Sequence, residues 1–149
     1  MKALVLALTL LILSSCGTDT GNPGFRGPAS GVGGSIFMSP AMCSKLSSCY
    51  PSLTYGNCVS GVLTAPGITG AMGLSASTYP NLSSAYNGVA SGDLRVNQTT
   101  LDQCSSAILG LTCASATVTS AYSISQPTNF NNAYNLLSAS SACQNTIAP

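Results

Sequence analysis

Cysteine is the residue type in this chain that offers the most chemistry. The seven cysteines are Cys16, Cys43, Cys49, Cys58, Cys104, Cys113 and Cys143. The chain of 149 residues contains no histidine and no glutamate, and its carboxylates are Asp19, Asp93 and Asp102. Without histidine there is no Ser-His-Asp or Cys-His arrangement and no usual zinc site. No pair of cysteines has the C-x-x-C spacing of zinc or thioredoxin-like sites, so we expect neither a metal nor another cofactor.

Asp93 and Asp102 are the only candidates for acid and base catalysis in the body of the chain. Two carboxylates across a cleft are what glycosidases use. Each position also has a sufficient local explanation. Asp93 follows Gly92 in a predicted turn, and Asp102 lies in Thr99-Thr100-Leu101-Asp102, which is similar to a helix capping box. We therefore predict no catalytic residue and no enzymatic activity.

The first cysteine follows a characteristic N-terminal pattern. Lys2 precedes the apolar run 3–13, and the chain then reads Leu13-Ser14-Ser15-Cys16. This resembles the signal peptide and lipobox of bacterial lipoproteins, in which an aliphatic residue and two small residues precede a cysteine. The apolar run is shorter than the roughly 20 residues of a membrane span. The alternative is an ordinary signal peptide with Cys16 as a structural cysteine.

The lipoprotein resemblance implies a signal peptide at 1–15 and cleavage before Cys16, whose thiol and new amine would carry acyl chains. Two or more acyl chains anchor a protein stably, so the lipid bilayer would be a partner through Cys16. Inner-membrane lipoproteins usually carry Asp after the cysteine, whereas this chain has Gly17. By the same resemblance we expect a cell-envelope protein of the outer membrane.

Residues 16–35 are rich in Gly, Pro, Ser and Thr, which predicts a lipidated N-terminus followed by a flexible tether. A docking peptide around Phe25-Arg26 is the alternative. Once residues 1–15 are removed, three basic side chains balance three aspartates. Nucleic-acid binding needs clustered Lys and Arg, so no nucleic-acid partner is expected.

The remaining six cysteines fall in the predicted domain 36–149. An even number in an oxidising compartment predicts three disulfides, which a small core needs. Fifteen connectivities are possible. Cys49 and Cys58 flank the turn at Pro51, so we predict a local bond between them. The core-facing Cys43 and Cys104 would then pair, and Cys113 with Cys143.

Helical periodicity and caps predict an all-α fold, a small bundle of four or five short helices held by disulfides. Ser39-Pro40 begins the first helix, with Ser39 as N-cap, and Pro51 ends it. The other predicted helices are 54–64, one opened by Pro80 and ended by Gly92, 100–112, and 129–143 with Asn129 as N-cap. Residues 67–78 are predicted to be loop, and 114–126 stay ambiguous between helix and strand. An irregular disulfide-rich α+β domain is the alternative fold.

The spacing of Cys43, Cys49 and Cys58, then Cys104, Cys113 and Cys143, resembles that of small cysteine-rich lipoproteins of predatory and social Gram-negative bacteria. The segment from Cys16 to Pro23 is also similar to their tether. This resemblance brings no defined activity. It implies a non-catalytic, membrane-anchored envelope lipoprotein with a structural or protein-interaction role, whose further partner would be an envelope protein.

Two surfaces are candidates for binding. Tyr50, Tyr55 and Tyr79 are candidate exposed aromatics for contact with a protein. The alternative is a small ligand-binding or inhibitor module acting through an adaptable loop 65–78 that contains Met72. A concave pocket lined by Met72, Leu74 and Tyr86 would favour this second hypothesis.

Overall fold

The fold is mostly helical and is held by three disulfides, as the sequence predicts. The computed structural model describes residues 25–26 and 38–149. The α-helices are α1 (Ser39–Cys49), α2 (Tyr55–Thr64), α3 (Ile68–Ala71), α4 (Leu82–Ser91), α5 (Gln98–Gly110) and α6 (Ala116–Ala121). Two 3-10 helices follow, Ala133–Ala139 and Ser141–Asn145. The strands are β1 (Phe25–Arg26), β2 (Arg95–Asn97) and β3 (Ile147–Ala148).

Helix α1 is central to the packing. It contacts α2 on one side and α5 on the other, while α5 also packs against both 3-10 helices. Met42, Cys43 and Leu46 of α1 have no exposed surface, so they form the side of the helix that faces the core. The helix begins one residue earlier than predicted, because Met38 is the N-cap and Ser39 is already helical. Its C-cap, Tyr50, precedes Pro51 as expected.

Helices α2 and α4 form where the sequence predicts helices, and the predicted end of α4 at Gly92 is confirmed. The Thr54 side chain accepts a hydrogen bond from the Asn57 backbone N–H and opens α2. Asn81 and Ser84 form a reciprocal capping box at α4. Gly92 ends α4 with a φ of 86°, a left-handed conformation that glycine adopts without strain.

Helix α5 is capped differently from the prediction. Asn97 is the N-cap, and its Oδ1 accepts from the Thr100 backbone N–H at 3.2 Å. The helix therefore starts earlier, at Gln98, and Asp102 lies beyond the capping positions. Asp102 instead accepts a hydrogen bond from Gln98 Nε2 at 2.8 Å, so its predicted role as a cap is wrong.

Three other segments differ from the predictions. The predicted loop 67–78 contains the short helix α3. The ambiguous segment 114–126 contains helix α6 and no strand. The predicted α-helix 129–143 is replaced by the two 3-10 helices, which Ser140 separates in an extended conformation. Asn129 does not cap either of them; its Oδ1 accepts from the Asn131 N–H, as in a local turn.

A small antiparallel sheet of order β1-β2-β3, which the sequence does not predict, completes the fold. Phe25 pairs with Asn97, and Val96 pairs with Ile147. Strands of two or three residues are too short to show a period-two pattern in the sequence. Apart from β1, the predicted tether 16–35 lies outside the described residues, as do the predicted signal peptide and Cys16.

All three predicted disulfide pairings are wrong. The bonds are Cys43–Cys58, Cys49–Cys113 and Cys104–Cys143, in place of Cys49–Cys58, Cys43–Cys104 and Cys113–Cys143. Their Cα atoms lie 5.5, 5.3 and 4.8 Å apart, within the usual range for a disulfide.

The rotation of residues around helix α1 explains this error. Cys43 and Cys49 are six residues apart, so they point about 120° away from one another around the helix axis. Cys43 therefore meets Cys58 of α2, and Cys49 meets Cys113, beyond the end of α5. Cys104, in the middle of α5, faces the second 3-10 helix and bonds Cys143.

A candidate binding groove between three helices

One concave surface is a groove of about 540 Å³ that we call the Tyr55 groove. It lies between the start of α1, one face of α2 and one face of α4. Its lining residues are Ser39, Pro40, Tyr55, Val59, Leu63, Ser83, Tyr86 and Asn87. The set is uncharged and combines aliphatic and aromatic walls with hydroxyl and amide groups.

Helix α2 forms the apolar wall of the Tyr55 groove. Tyr55, Val59 and Leu63 recur every fourth residue, so they share one face of the helix. Tyr55 at the rim is 46% exposed, although large apolar side chains are usually covered. On the opposite wall, Ser83 Oγ donates to the Leu63 carbonyl oxygen at 3.2 Å and ties α4 to α2. The two walls are therefore held together by the fold itself.

Tyr86 supplies a half-buried phenol to the Tyr55 groove. Burial raises the pKa of Tyr86 above its ordinary value; a side-chain hydrogen bond with Ser39 acts to lower this pKa, and the nearby Tyr55 acts to raise it. Ser39 itself is almost fully buried. The groove thus presents a neutral, hydrogen-bonding phenol at neutral pH.

The structure places the predicted pocket residues differently. Tyr86 lines the Tyr55 groove, but Met72 has no exposed surface and Leu74 is buried in the core. Ile68 and Thr69 are also fully buried, and Thr69 Oγ1 donates to the Tyr79 carbonyl oxygen at 2.6 Å. Met72 and Leu74 therefore do not line the predicted pocket, because these apolar side chains pack inward, whereas residues 75–78 of the same segment are exposed.

The three tyrosines predicted as an exposed set are separated. Tyr55 is exposed as predicted, whereas Tyr50 and Tyr79 are half-buried and pack against the core. The Tyr50 ring lies 5.0 Å from the ring of Tyr122. Tyr134 is 40% exposed, and it lies on the first 3-10 helix, outside the Tyr55 groove.

A second groove, of about 590 Å³, lies on another face of α2. Its lining residues are Ser52, Leu53, Asn57, Ser60, Gly61, Tyr122, Pro127, Thr128 and Phe130. Its aromatic residues belong to the core, since Tyr122 is 4% and Phe130 5% exposed. We therefore regard the Tyr55 groove, with its exposed ring, as the better binding surface.

The two candidate carboxylates each accept a local hydrogen bond. Ser91 Oγ donates to Asp93 Oδ2 at 2.7 Å, and Gln98 Nε2 donates to Asp102 Oδ1. Both carboxylates are exposed, and neither lines the Tyr55 groove or the second groove. Within residues 25–26 and 38–149, no cluster of three or more potential metal ligands occurs.

Comparisons with known protein families, with curated proteins and with solved structures found no match to this chain. In the part of the chain that the structure describes, no helix has the length and apolar character needed to cross a membrane.

Proposed function

We propose that this chain is a non-catalytic lipoprotein of the bacterial cell envelope that acts by contact with another protein. The observation that carries the proposal is the sequence Leu13-Ser14-Ser15-Cys16 at the end of an apolar N-terminal stretch. Cys16 would be the lipid attachment site, and its acyl chains would hold the protein on a bilayer. Gly17 supports the outer membrane as that bilayer.

The disulfides support an extracytoplasmic location. Six cysteines pair completely in three bonds, and structural disulfides persist in oxidising compartments such as the periplasm. Cys16, the seventh, is left over by this pairing, as a lipidated cysteine would be. The oxidising compartment that the disulfides indicate is therefore consistent with a lipid anchor at Cys16.

A non-catalytic role is supported by the chemistry available. The sequence lacks histidine and glutamate, and both aspartates of the body are exposed and bonded to a nearby side chain. The Tyr55 groove contains no charged group that would transfer a proton near neutral pH. The uncharged lining of the Tyr55 groove supports a role in binding.

The Tyr55 groove is the contact surface we propose for the partner. Protein interfaces are enriched in tyrosine at their centre and depleted in charge there. Tyr55 and Tyr86 provide aromatic area, and Ser83 and Asn87 provide hydrogen-bonding groups at the side of the groove. An uncharged, partly aromatic segment of an envelope protein fits this surface.

The anchor is tested by metabolic labelling with a fatty-acid analogue in the native host or a Gram-negative surrogate. Wild-type protein should be labelled, and Cys16→Ala should lose the label. Labelling that persists in Cys16→Ala would exclude lipidation at this residue.

The contact surface is tested by site-specific photo-crosslinking in intact envelopes. A crosslinking residue at position 55 should trap a discrete adduct, because this side chain projects from the groove. The same residue at position 134 is the matched control, since Tyr134 is comparably exposed at another place. Equal adducts at both positions, or none at position 55, would rule out this groove as the partner site.

A small uncharged ligand is the second candidate occupant of the Tyr55 groove. The observation in its favour is the volume of about 540 Å³, within the roughly 300–1,000 Å³ of small-molecule sites. The photo-crosslinking distinguishes the two, because a small ligand yields no adduct of protein size. This candidate replaces the predicted site in loop 65–78.

A further inference from the structure

We propose that Cys49–Cys113 is a thiol–disulfide exchange site whose substrate class is a dithiol. The three disulfides differ sharply in burial. Cys43, Cys58, Cys104 and Cys143 have no exposed surface, whereas Cys49 is half-buried and Cys113 is exposed. Exchange requires a thiolate to reach a sulfur, so access separates this bond from the other two.

The position of Cys113 makes it the sulfur that an incoming thiolate meets. Cys113 lies between α5 and α6, flanked by the exposed residues Thr112 and Ala114. Cys49 is the last residue of α1 and is partly covered. An external thiolate therefore attacks Cys113 Sγ from solvent without unfolding a helix.

Lys45 holds a positive charge beside the same bond. It precedes Cys49 by four residues on α1, which places the two side chains on one face with Cβ atoms about 5–6 Å apart. Its Nζ donates to the Leu111 carbonyl oxygen at 2.7 Å, two residues before Cys113. The ammonium group is thus held at the Leu111 carbonyl oxygen, one helical turn from Cys49 and two residues before Cys113 in the chain.

This charge favours the leaving group. A nearby cation stabilises a thiolate, and a better-stabilised thiolate leaves faster. The carboxyl end of α1 has the opposite effect on Cys49, because it carries partial negative charge. The positive charge of Lys45 offsets that partial negative charge at Cys49, whose thiolate is the leaving group.

The exchange proceeds in two steps through a mixed disulfide. One thiolate of the dithiol attacks Cys113 Sγ, the bond to Cys49 Sγ breaks, and Cys49 leaves as a thiolate. The second thiolate of the dithiol then attacks its own sulfur in the mixed disulfide and releases the thiolate of Cys113. Two electrons pass to the chain, the dithiol becomes a disulfide, and its two protons can be taken up by the new thiolates.

The fold is expected to survive this reduction. Cys43–Cys58 still joins α1 to α2, and Cys104–Cys143 still joins α5 to the second 3-10 helix. Helices α1 and α5 also stay in contact through the core, which includes Met42, Leu46 and Ile108. The reduced protein would be folded and would carry an accessible thiol at Cys113.

The test is graded reduction of the oxidised full chain with dithiothreitol, followed by alkylation and mass spectrometry. Cys49 and Cys113 should be alkylated together, at least roughly tenfold faster than the four buried cysteines, because access controls the rate. Near-ultraviolet circular dichroism should stay close to that of the oxidised protein at this stage. Simultaneous reduction of all three bonds, or earlier reduction of a buried one, would overturn the proposal.

The role of Lys45 is tested by Lys45→Gln, which should slow reduction of Cys49–Cys113 several-fold while the urea midpoint confirms folding. Arg95→Gln removes an exposed positive side chain on β2 and should leave the rate unchanged. Equal slowing in both variants would show a general charge effect and refute the local role.

Trapping of the mixed disulfide identifies the attacked sulfur. When the oxidised protein is treated with reduced glutathione and the released thiol is alkylated at once, glutathione should be found on Cys113 and the alkyl group on Cys49, since Cys113 is the exposed residue. Glutathione found on Cys49 instead would place the attack there.

Discussion

At the scale of single residues, Gly61 decides how closely α2 approaches the Phe130 ring. A Cβ at Gly61 would lie 2.8 Å from Phe130 Cγ, closer than real side chains come. Phe130 in turn packs against Tyr122, with ring centroids 5.4 Å apart. Glycine has a low helix propensity, but the close contact between α2 and the Phe130 ring requires a residue without a side chain at position 61.

Gly61→Ala should therefore destabilise the protein by about 1–3 kcal/mol through overpacking, despite the better helix propensity of alanine. Gly56→Ala is the matched control in the same helix, because a Cβ there meets nothing within 4 Å. We expect the control to be neutral or up to about 1 kcal/mol more stable. Urea unfolding of the oxidised proteins measures both, and equal stability of the two variants would contradict the packing argument.

Tyr86 predicts an alkaline loss of stability. Burial raises its pKa in the folded state, so above about pH 10 the folded protein holds a proton that the unfolded chain has released. This contribution is complete at lower pH, and stability then falls as pH rises through that region. Urea midpoints at about pH 8 and pH 11 should differ less in Tyr86→Phe than in wild type. Tyr134→Phe, at an exposed position, should keep the wild-type difference; an unchanged difference in Tyr86→Phe would refute the assignment.

At the scale of elements, the sequence predicts helices with strong local signals and misses those shaped by packing. Thr54, Asn81 and Gly92 mark the ends of α2 and α4 because their side chains or left-handed backbone act locally. Helix α3 has four residues, too few to show a periodic pattern. The C-terminal segment has helical spacing, but the break at Ser140 and the 3-10 geometry depend on contacts with α5 and α6.

Two substitutions at the start of α5 distinguish the observed cap, Asn97, from the predicted capping residue, Asp102. Asn97→Ala should cost about 1 kcal/mol, because the Thr100 N–H loses its acceptor. Asp102→Ala should cost at most a few tenths of a kcal/mol, since it removes only the exposed bond from Gln98 four residues earlier. Thermal unfolding of both variants checks the order. A larger loss of stability in Asp102→Ala than in Asn97→Ala would instead support Asp102 as the capping residue.

At the scale of the whole molecule, the disulfides join elements that are distant in the chain. Counting cysteines predicts that three bonds exist, but partner choice depends on how α1 and α5 are rotated. Cys43 and Cys49 face different neighbours for that reason, and the spacing of the cysteines along the sequence does not reveal which partner each one bonds. The Tyr55 groove has the same origin, because three helices meet there that the sequence predicts only one at a time.

Cys104–Cys143 should control the order of the C-terminal segment. It closes a separation of 39 residues, which in the chain-entropy model corresponds to about 4 kcal/mol. The residues it holds are 3-10 helices, whose hydrogen bonds have poorer geometry than those of an α-helix. Changing both cysteines to alanine should therefore speed amide exchange chiefly in residues 133–148, while α1 and α2 stay protected.

The matched variant removes Cys43–Cys58, which is equally buried but joins α1 to α2 across a separation of 15 residues. Its faster exchange should appear in those two helices, since the C-terminal segment keeps its own bond to α5. Hydrogen exchange followed by peptide mass spectrometry resolves the two patterns. If both variants instead lose protection evenly along the chain, the molecule opens as one unit and the disulfides do not act on separate parts of it.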